Sequence, residues 1–123
     1  MSYKLSWLVP GRVIDAVLPV MSNDDALIQA FDIEINAMLD TASQPVNIIL
    51  DVRFVQENPS TPSAMKMTYF KHRNTARLIL IGMVGNPIMR FLVSIIGSGK
   101  GVQIKDFKTR EEAQAYLASV EQL

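Results

Sequence analysis

The chain has 123 residues, 49% of them hydrophobic, and its twelve basic groups balance twelve acidic ones. That length can bury a core without staples, so one domain spanning 1–123 is expected. With no cysteine and one histidine, disulfides, thiolate catalysis, cysteine-ligated zinc and an imidazole metal cluster are excluded, and no metal or cofactor is expected.

The amino-terminal "MSYKLSWLVPGR" has too short an apolar run for a signal peptide. No stretch reaches the roughly 20 apolar residues of a membrane span, which gives the expectation of a soluble, cytoplasmic protein. Alternation places Leu5, Trp7 and Val9 on one side of a first strand. Pro10-Gly11 signals a turn, after which "RVIDAVLPV" returns as a second strand. Ser22 or Asn23 can cap the following helix, with Asp24 and Asp25 in its first turn. Ile28, Phe31, Ile35 and Met38 form its apolar stripe, opposed by Asp25, Gln29, Asp32, Asn36 and Asp40.

"VNIILDV" is a nearly continuous aliphatic run, suited to a central strand covered on both faces. "QENPSTPS" breaks it. Thr61-Pro62 then predicts a helix start, since proline's missing N–H costs little in a first turn; this helix carries Met65, Tyr69 and His72 on one side. "ARLILIGMV" is the next buried strand. Asn86-Pro87 opens a helix over 87–96, and "GVQIKDF" is a short strand. Thr109-Arg110-Glu111-Glu112 matches a capping box, with Ala113, Tyr116, Leu117 and Val120 along the helix behind it. Strands alternating with helices predict an α/β layered domain with a mainly parallel sheet.

Charge is unevenly spread. Residues 1–57 carry three basic and eight acidic groups, residues 58–105 seven basic and none acidic, and residues 106–123 two basic and four acidic. Such asymmetry can favour an anionic partner, or it can solvate several faces of the fold.

Tests for chemistry return little. "GSGKG" at the end of 87–101 lacks both the leading glycine and the Ser or Thr of a nucleotide loop: Ser94 and Gly101 stand in those places. It also follows a helix, whereas that loop follows a strand. A glycine stop at Gly97 and a turn explain it. His72 lacks a recognisable Ser/Asp pairing for general-base work. Asp51 ends a hydrophobic strand, a position either for an active-site carboxylate or for one accepting backbone N–H bonds. Asp24-Asp25 and Glu111-Glu112 belong to helix first turns. No enzyme is expected. Seven apolar side chains in 87–96 represent roughly 10–20 kcal/mol of burial as an upper bound. The neighbouring carboxyl-terminal helix can cover them, or a partner subunit, an apolar ligand or a membrane surface can.

The order of "NIILDVRFV", a Ser/Thr-bearing helix start, "ARLILIGM", "NPIMRFLVSIIG" and "IKDFKTREEAQAYL" resembles the STAS domain, the family of bacterial anti-sigma-factor antagonists and sulfate-transporter tails. Residues 46–123 carry the resemblance, and residues 3–40 fit it by element order. It implies a STAS-like layered domain, a mainly parallel sheet of four to five strands with about four helices. In the antagonists a serine of an Asp-Ser-Ser-Gly loop is phosphorylated by a partner kinase that is also an anti-sigma factor. Ser60 falls on that serine and Thr61 on the next, with Pro59 in place of the Asp and Pro62 in place of the Gly. The same loop bounds Ser63. A phosphate there would meet free N–H groups at a helix start; the simpler reading is that Thr61 is a plain N-cap. The chain is also similar to a STAS-like branch grouped with the CRAL-TRIO lipid-transfer fold, through Lys71-His72-Arg73 and the apolar 88–96.

The resemblance thus implies a non-catalytic regulatory interaction module. Ser60, Thr61 and Ser63 are its candidate partner or phosphorylation loop; Ile88, Arg90, Phe91, Leu92 and Ile95 are its partner or ligand surface. The alternative is a carrier or sensor of an apolar, lipid-like ligand under helix 87–96, with Arg73, Arg77 or Lys100 near an anionic headgroup. The expected partner is a protein (a kinase or anti-sigma-like factor, or a second copy in a homodimer) and not nucleic acid.

Overall fold

The computed structural model describes residues 3–18, 25–53, 68–82 and 103–121. Within them lie β1 (Lys4–Val9), β2 (Val13–Val17), α1 (Asp25–Thr41), β3 (Val46–Asp51), a 3-10 turn (Tyr69–Lys71), β4 (Thr75–Ile81), β5 (Gln103–Phe107) and α2 (Arg110–Glu121). The helix expected over 87–96 and the start of the one expected from Thr61-Pro62 lie outside the described residues, but the latter's far end is described and is not an α-helix: Tyr69–Lys71 form the 3-10 turn and His72 is extended (φ −61°, ψ 139°), because the chain there turns into β4. Two α-helices and one 3-10 turn are present among the described residues.

The five strands stand side by side in sequence order, β1-β2-β3-β4-β5. β1 runs antiparallel to β2, and every later pairing is parallel. This is the mainly parallel α/β sheet that the alternation of elements predicts. β3 is buried at all six positions, because period-two alternation sends its side chains to two covered faces. Ile48 and Leu50 join Ile14, Leu78 and Leu80 under α1, whose Ile28, Phe31, Ile35 and Leu39 are buried against them. Ile49 joins Val13, Ile79 and Ile81 on the other face, under Ala113 and Leu117 of α2. Leu39 takes the deep place in α1 that the sequence assigns to Met38, which is partly buried at the rim.

β1 departs from simple alternation. Trp7 pairs with Ile14 and Val9 with Val13, leaving Leu8 as an extra residue at a register shift. A bulge of this kind flips every side chain beyond it. Leu5 and Trp7 therefore pack on the α1 side and Val9 on the α2 side, which corrects the expectation that all three share a face. The turn that follows is closed by the Arg12 N–H donating to the Val9 carbonyl at 2.9 Å. Gly11 supplies φ +74° there, the value a Pro-Gly turn requires at its third residue.

α2 begins as the sequence predicts. The Thr109 hydroxyl accepts the Glu112 N–H at 3.2 Å and donates to the Glu112 carboxylate at 3.2 Å. Thr109→Ala is expected to lower stability by about 1 kcal/mol, measured as a shift of the urea midpoint. A cost indistinguishable from zero would show that the helix start is held by its packing alone.

Candidate functional site

The carboxyl ends of β2, β3 and β4 lie along one edge of the sheet, the place where open α/β sheets present ligand and partner sites. Asp51 is the last residue of β3 and is 1% exposed. Arg53, two residues on, grips its carboxylate in a fork, with Nε at 2.9 Å from Oδ1 and Nη2 at 2.7 Å from Oδ2. The Arg53 N–H also donates to Oδ1 at 3.2 Å. From the first turn of α2, Arg110 reaches the same carboxylate at 3.2 Å and binds both oxygens of Asp15 on β2 at 3.3 Å. Two carboxylates and two guanidinium groups thus join β2, β3 and α2 at the edge from which segments 54–67 and 83–102 depart.

The electrostatics follow from this geometry. Burial pushes the Asp51 carboxyl up, but the hydrogen bonds from Arg53 and Arg110 outweigh it and hold the group below its ordinary value. The Arg53 guanidinium is raised in turn, chiefly by its bonds to Asp51. Asp51 is therefore an ionised anchor, built for holding charge in place and not for taking protons. Of the two roles open to it in the sequence, the structure supports the accepting one, with side-chain donors added to the backbone N–H.

Gly82 makes the close approach at this edge feasible. It has φ +90°, and a Cβ built on it would lie 2.4 Å from Arg53 Cγ and 2.9 Å from Arg53 Cα. The Val52 N–H donates to the Ile81 carbonyl and the Gly82 N–H to the Phe107 carbonyl, so the chain beyond β3 is laid directly on the end of β4.

The return from segment 54–67 is fastened to α1. The Asp32 carboxylate accepts the Thr68 and Tyr69 N–H groups at 2.8 and 3.0 Å and the Thr68 hydroxyl at 2.9 Å. Asn36 donates to that hydroxyl at 2.9 Å. Tyr69 is buried edge-on against Phe31, and its phenol is pushed up, mainly by burial and then by Asp32. Asp32 and Asn36, two residues of the polar stripe of α1, thus mount this turn.

Among the expected anion contacts, Arg73 is exposed in the turn before β4. Arg77 lies in β4, with Nη1 at 3.3 Å from Asn47 Oδ1. Both stand at the amino end of β4, away from Asp51 and Arg110. Lys100 lies outside the described residues, as do Ser60, Thr61, Ser63, Ile88, Arg90, Phe91, Leu92 and Ile95. Arg53, Arg110 and Asp15 were not singled out from sequence. Arg110 carried a usable signal: a cation in a helix's first turn opposes the macrodipole and calls for carboxylates nearby.

No helix among the described residues is long and apolar enough to cross a membrane, and they hold no cluster of metal-ligating side chains. No family model matches the chain, and no curated protein does. Among solved structures it is similar to the phosphorylated form of SpoIIAA, a cell fate determinant of Bacillus. The TM-score is 0.62 at 16% identity, over 94% of this chain and 99% of that one. SpoIIAA is a STAS anti-sigma-factor antagonist, and the STAS-like fold implied by residues 46–123 is the fold of this chain.

Proposed function

We infer that the protein is a regulatory protein–protein interaction module of the anti-sigma-factor-antagonist kind, acting without catalysis. The observation that carries this reading is the end-to-end likeness in fold to SpoIIAA. The ionic anchor at the carboxyl edge supports it, since Asp51 is engaged by two arginines and is poorly suited to proton transfer. The partner is a protein, such as a kinase. It meets the loop 57–63, with Ser60, Thr61 and Ser63, and the segment 87–96, with Ile88, Arg90, Phe91, Leu92 and Ile95. Both segments depart from the edge that Asp51 and Arg110 brace, one after Arg53 and the other after Gly82. The likeness to SpoIIAA lends no support to the apolar-ligand alternative.

The test is affinity capture of partners by the wild-type chain and by Ser60→Ala, Thr61→Ala and Phe91→Asp variants. At least one substitution is expected to abolish a specific partner. Retention of every specific partner by all three would remove this surface from consideration.

A further inference from the structure

A second polar joint lies at the opposite end of the sheet, around the chain's one histidine. His72 follows the 3-10 turn and its side chain is 10% exposed. Its Nε2 is 2.7 Å from Asp40 Oδ1 on α1. Its Nδ1 accepts the backbone N–H of Asn74 at 3.0 Å. An N–H can only donate, so Nδ1 carries no proton in this arrangement, and the ring is the neutral tautomer with its proton on Nε2, donated to Asp40.

Asn74 is the residue this bond holds in place. Its side-chain amide donates to the Leu39 and Ala42 carbonyls at 2.9 and 3.1 Å, alongside the Ala42 N–H that the Leu39 carbonyl also accepts at 3.1 Å, and so fastens the end of α1. Its own carbonyl accepts the Val46 N–H at 2.6 Å, and the Thr75 N–H donates to the His72 carbonyl at 3.0 Å. One asparagine therefore joins the last turn of α1, the first residue of β3 and the approach to β4.

We propose that His72 is a proton-operated latch on this joint. With the ring neutral, Nδ1 holds the Asn74 N–H and the joint is closed; a proton added at Nδ1 sets donor against donor, expels the Asn74 N–H and releases Asn74 from the ring. The charged groups at this corner are Asp40 from α1 and Lys71 and Arg73 on the turn itself. Thr75 of β4 is neutral and its hydroxyl is committed to the Tyr69 carbonyl at 2.6 Å. The latch is independent of the partner reading, because it concerns the amino end of the sheet and is tested in the isolated chain.

The experiment is nitrogen-15 NMR of the intact protein, titrated across about pH 5–8, where imidazoles change charge. At the upper end, the ring is expected to show Nε2 protonated and Nδ1 bare, with a scalar coupling across the hydrogen bond between Nδ1 and the Asn74 amide nitrogen. That coupling should vanish as the ring is protonated, while the Asn74 and Val46 amide resonances move in step. A neutral ring protonated on Nδ1, or a coupling that persists in the imidazolium form, overturns the proposal. His72→Asn supplies the control: its Oδ1 can accept the same N–H two residues on but does not titrate. The Asn74 amide in that variant is expected to be flat with pH, and one that still moves with the wild-type profile also overturns the proposal.

Discussion

Replacing Asp51 with alanine is expected to destabilise the protein by about 3 kcal/mol, read as a lower urea midpoint with an unchanged slope. The carboxylate is 1% exposed and is the shared acceptor of Arg53 and Arg110, so its removal takes a partner from two cations at once. Breaking a fully buried pair costs about 3–5 kcal/mol. The Arg53 side chain is 41% exposed, and water there recovers part of the loss, which sets the expectation at the low end. Arg110 keeps Asp15 as a partner. The same site predicts a pH dependence. Because the folded carboxyl lies below its ordinary 3.8, its stabilisation is present above that value and is lost as pH falls through the folded one. The stability difference between the wild type and Asp51→Asn should therefore shrink in acid. A difference that stays constant down to about pH 2 would show that the charge on Asp51 contributes nothing.

Gly82→Ala is expected to cost about as much, roughly 3 kcal/mol, for a different reason. Left-handed backbone costs a residue with a Cβ about 1–2 kcal/mol. The remainder comes from the Arg53 backbone, whose Cα and N would lie 2.9 and 3.0 Å from the new atom. That backbone cannot swing aside like a side chain, since its N–H is bonded to Asp51. Gly11 provides the internal comparison: it has φ +74° and nothing within 4 Å of a built Cβ. Gly11→Ala should cost only the backbone part, about 1 kcal/mol. Equal losses at the two glycines, measured by urea unfolding, would show that the crowding against Arg53 is relieved freely.

Much of the fold was legible because local rules and burial agree. The unbroken aliphatic run of β3, the apolar stripe of α1 and the capping residues of α2 each point to the element that forms. Trp7 and Val9 show where such reading stops. A bulge changes which face a residue meets, and its cause is the pairing with Ile14 and Val13, which alternation within β1 does not contain. The ionic anchor was less legible for a related reason. Asp51 could be singled out as a carboxylate ending a buried strand, but its partner Arg110 stands 59 residues away and Asp15 a further strand across. Likewise nothing within α1 shows that Asp32 holds the Thr68 and Tyr69 N–H groups or that the exposed Asp40 meets His72. Polar partnerships between distant segments depend on the topology, and the topology is settled by the apolar pattern.

The strand order carries a consequence for the entropy of closing the chain. Ile14 pairs with Ile48, Ile48 with Leu78 and Leu78 with Ile104, so each strand finds its partner in the strand just before it. Every sheet pairing closes a loop of moderate length, and none has to wait for a distant segment to be in place. The bond from Arg110 to Asp15 spans 95 residues, yet lengthening a loop adds only about 0.6 kcal/mol per doubling. Once the sheet has formed, even that cost largely disappears, because Asp15 and Phe107 already belong to one rigid body. Docking of α2 then closes a link of three residues, and the guanidinium of Arg110 finds both its carboxylates waiting.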